Sequence, residues 1–165
     1  MKPWSSEPIG DHHDVSEFSC GNDALDQWLR QHALRAQRAG VSRTTVWVAP
    51  RERTVVAYHA IAPTQFARVD LPSRSLSAGY SMIPGFLIRR LALTRSLHGL
   101  GLGSELLLDA LERILEAADI TGGRLIAVDA LDADAECFYV HHDFQPIPGS
   151  ARLVMKIETA RAALR

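Results

Sequence analysis

The residues best suited by type and spacing to do chemistry are His98, Gly99, Leu100, Gly101, Leu102, Gly103 and Ser104, with glycine at every second position from 99 to 103. Glycine adopts positive φ without the steric cost that other residues meet, and its missing side chain lets a bulky anion approach the backbone. A helix follows directly, its apolar positions Leu106, Leu107, Ala110, Leu111, Ile114, Leu115 and Ala118 recurring at three- and four-residue steps. First-turn amides of such a helix lack intrahelical acceptors and carry the positive end of its dipole, so a pyrophosphate seated there finds several donors. A tight turn that only packs helix against strand would have the same composition. The turn lies past the middle of the chain, which argues against a Rossmann site, and no Gly-Lys-Ser/Thr follows, which argues against a Walker loop. The second group is Phe138 with Tyr139, either two core aromatics or a phenol placed to give up a proton.

Several elements must hold these groups. A helix capped by Asn22 or Asp23 carries Leu25, Trp28, Leu29, Ala33, Leu34 and Ala36 or Ala39 on one side and stops at Gly40. Residues 44–49 and 54–61, rich in β-branched side chains and separated by Pro50, Arg51, Glu52 and Arg53, read as an antiparallel hairpin. A proline-punctuated connection over 63–84 delays the next strand, and connections of that length are more often functional than idle. That strand, 86–93, is apolar except for Arg89 and Arg90, which suits a central position covered on both faces. After the glycine turn and its helix come a buried strand at 125–128, a short helix at 133–141 and closing strands at 144–147 and 153–157. This order predicts an α/β arrangement, helices layered on a mixed sheet, in one domain over residues 1–165.

At 165 residues, with 47% hydrophobic and 22% charged side chains, the chain can close one core without metals or disulfides. Cys20 and Cys137 lack CxxC spacing and a histidine partner pattern, so neither a disulfide framework nor a metal site is expected. The longest apolar-leaning run, 76–88, is too short to span a bilayer and contains Gly79, Ser81, Pro84 and Gly85. Lys2, Glu7, Asp11, His12, His13 and Asp14 break the N-terminal stretch, against a secretion signal. A reducing cytoplasm and no membrane are the expectation. The net charge of −1 conceals asymmetry: no carboxylate occurs over 27–51, which holds Arg30, Arg35, Arg38, Arg43 and Arg51, nor over 71–104, which holds Arg74, Arg89, Arg90 and Arg95. Such stretches are either a footprint for a polyanion or a solvated face neutralised in three dimensions.

With the glycine turn in view, the sequence resembles the GNAT acetyltransferases, whose central motif, Arg/Gln-x-x-Gly-x-Gly/Ala, is matched by His98, Gly101 and Gly103. His98 departs from the usual Arg or Gln, which shifts the burden of anion binding toward Arg95 or the backbone amides. The run from Ala130 to Phe144 resembles the second signature, Asn-x-x-Ala-x-x-Phe-Tyr-x-x-x-Gly-Phe, with Asp132 in place of Asn and Asp143 in place of Gly. Asp143 must then take the left-handed conformation that closes the helix. The resemblance implies a mixed sheet of about six or seven strands flanked by about four helices. It implies acetyl-CoA as co-substrate, with Leu91, Ala92 and Leu93 offering backbone groups to the pantetheine arm, the amides of residues 98–104 binding the pyrophosphate and Asp132 as a further cofactor contact. It implies Tyr139 as the acid that protonates the departing thiolate. Phenol, with a pKa of about 10, and a thiol, near 8.5, are matched closely enough for that transfer. Glu105, His141, His142 and Asp143 are the candidate bases, none singled out.

The resemblance reaches further. Phe18, Cys20, Gly21, Leu25, Trp28 and Leu29, then Ser42-Arg43-Thr44, Tyr58, Ile83-Pro84 and Arg90-Leu91-Ala92, are similar to the TacT-like GNAT toxins of bacterial toxin–antitoxin pairs over nearly the whole chain. That likeness implies acetylation of the α-amino group of a charged tRNA, a block on translation, a ribbon-helix-helix antitoxin and a homodimer. Arg30, Arg35, Arg38, Arg43, Arg74, Arg89 and Arg90 are the expected phosphate contacts, with Arg90, on a central strand, equally a partner in an internal ion pair. Two other readings compete: a GNAT enzyme for a small amine or a protein N-terminus, and a GNAT-shaped binding module without turnover.

Overall fold

The computed structural model describes residues 3–165, and the part of the N-terminal reading that rests on Lys2 lies outside them. Seven strands, β1 (Ser5–Pro8), β2 (Arg43–Val48), β3 (Val55–Ala67), β4 (Met82–Leu93), β5 (Leu125–Asp129), β6 (Gln145–Pro146) and β7 (Arg152–Lys156), join in the order β1-β2-β3-β4-β5-β7-β6. The α-helices among the described residues are α1 (Asp23–Gln31), α2 (Ala33–Ala39), α3 (Leu102–Thr121), α4 (Ala133–His141) and α5 (Ile157–Ala163). The expected α/β class with a mixed sheet is observed, with α5 as the helix beyond the four anticipated. The chain divides into two units, Met1–Ala62 with Arg90–Ala110 and Pro63–Arg89 with Leu111–Arg165.

In the first unit β1 pairs antiparallel with β2, and β2 with the start of β3, setting Val46 opposite Tyr58 and Trp47 opposite Ala57. Side chains alternate between the two faces of a strand. Val46, Val48, Val55 and Tyr58 accordingly pack with Phe18, Leu29 and Ala33, while Trp47 and Ala57 meet Leu106, Leu91, Leu93 and Leu102 on the other face. The Tyr58 hydroxyl donates to the Leu25 carbonyl at 2.8 Å, so the phenol that the core swallows keeps its hydrogen bond. Sequence periodicity read residues 23–39 as one helix. The structure breaks it at His32 (φ −127°, ψ −26°), and the two pieces still send Leu29 and Ala33 into one cluster, which is why the apolar stripe does not register the kink. The predicted ends hold: the Asn22 side chain caps the first piece and Gly40, at φ 71°, ends the second. The four-residue strand β1 was not anticipated, because its polar sequence belongs to an exposed edge.

In the second unit β4 and β5 pair parallel from Gly85 opposite Leu125 to Ile88 opposite Val128, and β7 lies antiparallel to β5. Leu125, Ala127 and Val154 pack with Phe66, Leu76 and Ile83. The connection expected over 63–84 is shorter than its prolines imply. β3 runs on through Pro63 to Ala67 and β4 starts at Met82, while Arg68–Asp70 and Arg74–Leu76 form 3₁₀ turns and Leu76 is fully buried. The closing strands shift as well. Only Gln145 and Pro146 pair in β6, and Ile157, expected at a strand end, opens α5. The predicted stripe of α3 is confirmed, with Leu106, Leu107, Ala110, Leu111 and Ile114 all buried.

Candidate active site

From Leu93 the chain passes through a 3₁₀ turn at Arg95–Leu97 into the glycine run. Gly99 and Gly101 have φ of 79° and 77°, a region that costs an L side chain about 1–2 kcal/mol. A Cβ at either position would meet no atom within 4 Å, so conformation alone demands glycine there, and the space above the turn is open to a ligand. α3 starts at Leu102, and the first-turn amides, which have no acceptor within the helix, begin where the turn ends. His98 Nε2 lies 2.6 Å from the Leu93 carbonyl. A carbonyl only accepts, so the imidazole carries its hydrogen on Nε2 and ties the turn to the end of β4 rather than offering that hydrogen to an anion. The cation next to the turn in sequence is Arg95, exposed, its backbone N–H held by the Ser19 carbonyl at 2.8 Å. Open space, orphan amides and Arg95 suit a diphosphate. The β4–β5 ladder runs only from Gly85 to Ile88. Leu91, Ala92 and Leu93 lie on β4 past its end, where backbone groups can serve a ligand's amides.

Tyr139 sits on α4, whose N-terminus is capped by Asp132: the carboxylate accepts from the Ala135 amide at 2.8 Å. At the other end Asp143 takes φ 71°, the left-handed turn its place in the motif required, and the Phe144 amide returns to the Tyr139 carbonyl at 3.1 Å. The Tyr139 ring is buried, edge-on to Phe138 (5.3 Å between centroids) and Phe144 (5.6 Å). Burial first, and the charge of Asp129 second, push its phenol up to about 12. The group is therefore fully protonated at neutral pH, the state a proton donor needs. Of the candidate bases, Glu105, His141 and Asp143 are exposed. His142 packs beside Phe138, at 4.8 Å between rings, and burial lowers its pKa.

The arginines divide. Arg38 pairs with Asp11, Arg30 donates to the Phe18 carbonyl (2.9 Å) and Arg43 to the Gln37 carbonyl (3.0 Å). Arg90 lies over the Trp28 ring at 4.1 Å, a cation–π contact on the residue for which a tRNA contact and an internal ion pair were equally expected. Arg35 and Arg89 are exposed. Arg74 joins Arg68, which sequence reasoning passed over, in lining a cavity of about 470 Å³ with Ser77 and Gly79. The signal was present, since Arg68 lies six residues before Arg74, but Asp70 between them hid it.

Three further clusters escaped the sequence. His59 and Asp109, both buried, meet at 2.9 Å, and the Ser6 hydroxyl adds a bond to the same carboxylate at 2.8 Å, tying α3 to β3 and β1 within the first unit. Glu7, His12 and His13 place their ligand atoms within 4.8 Å of one another. The Gly10 amide donates to His13 Nδ1, however, so the ring's hydrogen lies on Nε2 and is given to Glu7 at 2.6 Å; the lone pair a metal would need there is absent in that tautomer. The third is Asp129, the residue that ends β5, which receives a two-pronged bond from Arg152 at 2.9 and 3.1 Å.

No family model matches the chain. It is 40% identical over 157 residues, 94% of this chain and 93% of the relative, to a tRNA-acetylating toxin of Mycobacterium tuberculosis (strain ATCC 25618 / H37Rv). The chain belongs to the family of tRNA-acetylating toxins. Among solved structures, this member of the family resembles AtaT complexed with acetyl-methionyl-tRNAfMet, with a TM-score of 0.89 and 28% identity over 98% of this chain and 99% of AtaT. A tyrosine-to-phenylalanine mutant of AtaT bound to the C-terminus of the antitoxin AtaR and acetyl-CoA aligns with a TM-score of 0.86 and 26% identity, covering 99% of each chain. The GNAT toxin fold anticipated from the two motifs is thus the fold observed. Among the described residues no helix is long and apolar enough to cross a membrane.

Proposed function

We propose that this chain is an acetyl-CoA-dependent N-acetyltransferase that acetylates the α-amino group of aminoacyl-tRNA, and so arrests translation as the toxin of a toxin–antitoxin pair. The observation that carries the reading is a buried, protonated Tyr139 together with an open glycine turn at a helix start, in a chain of this family. Acetyl-CoA supplies an activated acetyl group as a thioester. Backbone amides of the glycine turn beyond His98, whose own amide is bonded to the Arg95 carbonyl, and the Arg95 guanidinium hold its diphosphate, and backbone groups of Leu91, Ala92 and Leu93 take the pantetheine arm. Tyr139 gives its proton to the sulfur as the C–S bond breaks and the new C–N bond forms; the proton lost by the attacking amine passes to water, and water returns one to the Tyr139 phenolate. Asp132 keeps Tyr139 in position through the α4 cap.

Phosphate contact falls to the arginines, and Arg68 and Arg74 line one cavity together. Replacing both with glutamine weakens tRNA binding to a similar degree for every charged tRNA and lowers the salt slope, d log K/d log[salt], by about 1.5–2, as read by filter binding from 50 to 200 mM salt. The rate follows the amine at its acid limb. Because Tyr139 titrates only at about 12, its protonated form persists through neutral and alkaline pH and the rate shows no alkaline fall until that value is approached. A fall centred near pH 9–10 in the pH–rate profile contradicts the assignment, since that is where an unperturbed phenol ionises.

The reading extends to a single GNAT domain working in the cytoplasm as a homodimer and silenced by a ribbon-helix-helix antitoxin. An assay with radiolabelled acetyl-CoA against charged tRNA and a panel of free amines tests the acceptor. Label appears on charged tRNA alone; label confined to the free amines removes the tRNA reading.

A further inference from the structure

Asp129 and Arg152 form one wall of a cavity of about 600 Å³ inside the second unit. That volume lies in the range of small-molecule sites, about 300–1,000 Å³. Phe66, Leu71 and Ile147 supply its apolar side, and Asp70 adds a second carboxylate. Each Asp129 oxygen takes one hydrogen bond from Arg152 and keeps another lone pair free to accept. Two carboxylates against one guanidinium leave an excess negative charge, so the cavity favours a cation and opposes a free carboxylate. Arg152 commits Nε and Nη2 to Asp129, so its charge is already matched by one carboxylate and Asp70 tips the balance against a second anion.

We propose that this cavity is the acceptor subsite: Asp129, held by Arg152, grips the α-ammonium group of the aminoacyl end and, once that group has given one proton to water and become the attacking amine, accepts from a remaining N–H, while Phe66, Leu71 and Ile147 receive an uncharged side chain. The inference rests on the acetyl-transfer reading above and adds to it the group that recognises the acceptor. It accounts for selection between two forms of the same amino acid. An aminoacyl ester presents an ammonium with no free carboxylate and fits; a free amino acid brings a carboxylate that the wall repels. It also accounts for release, because the acetylated product carries a neutral amide that Asp129 no longer attracts. Asp129 ends β5 three residues before Asp132, the cap of the helix that carries Tyr139, which brings the cavity wall next to that helix in the chain. The segment over 63–84 thus contributes a wall through Phe66, Asp70 and Leu71.

The test uses the full chain with acetyl-CoA and tRNA charged with methionine. Asp129→Asn lowers kcat/KM for charged tRNA by about 10- to 100-fold, chiefly through KM, because an ion-assisted hydrogen bond is lost. KM for acetyl-CoA and the melting temperature stay as in the parent, and Asp129→Glu recovers part of the loss. Ile147→Trp, which fills the cavity without touching the ion pair, lowers the same kcat/KM at unchanged KM for acetyl-CoA. A kcat/KM for charged tRNA within twofold of the parent in Asp129→Asn and Ile147→Trp overturns the subsite while leaving the acetyltransferase reading intact. A parent chain that acetylates free amines but no charged tRNA overturns both.

Discussion

Tyr139→Phe lowers turnover on charged tRNA by about 10²- to 10⁴-fold, the contribution of a positioned proton donor, and leaves acetyl-CoA binding unchanged. The separation of the two effects follows from packing. The Tyr139 ring is seated edge-on between Phe138 and Phe144, contacts that a phenylalanine ring reproduces, and α4 keeps its Asp132 cap. Only the hydroxyl is removed. Without it the thiolate must leave unprotonated, or wait for water to reach a position that the parent chain buries. Single-turnover transfer of radiolabelled acetyl measures the loss, calorimetric titration with acetyl-CoA measures the binding, and induced expression of the variant no longer stops growth. Wild-type turnover in Tyr139→Phe would remove the phenol from the mechanism, and unaltered growth arrest would favour a binding module that acts without catalysis.

The largest structural effect is expected at Gly85, where no catalysis occurs. A Cβ built there would lie 2.2 Å from the Leu125 carbonyl oxygen and 2.8 Å from the Phe66 ring. Neither neighbour yields easily: the carbonyl belongs to the backbone of the parallel β4–β5 ladder, and Phe66 is buried in the core of the second unit. Overpacking of this kind costs about 1–3 kcal/mol and more when backbone must move. In a chain of this size each kcal/mol is worth roughly 2–4 °C in Tm. Gly85→Ala therefore melts roughly 2–12 °C below the parent in a thermal scan. A loss under 1 °C would mean that β4 and β5 are not in the contact described.

The two glycine cases show what composition conveys and what it hides. At Gly99 and Gly101 the requirement is local, a positive φ with open space around it, and the alternation with Leu100 and Leu102 before an apolar-periodic helix announces it. Gly85 sits in a strand, and its need for glycine comes from a carbonyl forty residues away in sequence, so no neighbouring residue signals it. The arginines follow the same division. Two stretches free of carboxylates are visible by reading along the chain, but Asp11 on Arg38, the Phe18 carbonyl on Arg30 and Trp28 beneath Arg90 are supplied from elsewhere. The strand expected to end at Leu93 does so, whereas 63–84 was read as a loop because Pro63 and Pro84 interrupt the pattern. Both prolines are exposed positions on strands that continue through them.

By itself the sequence determined the conditions that depend on a few neighbouring residues. These are the left-handed glycines of the turn before α3, the buried stripe of α3, the positive φ at Asp143 and the placement of Tyr139 on the short helix that Asp143 closes. Each is set by backbone sterics or by a hydrogen bond spanning three or four positions, and such terms are written into local order. Only the tertiary structure decided that Asp109 meets His59 and Ser6, that Arg68 joins Arg74 at a cavity, and that Asp129 is clasped by Arg152 on the wall of another. Those pairings depend on which segments the sheet brings side by side, and strand order is settled by burial of the whole apolar set rather than by any residue's own preference.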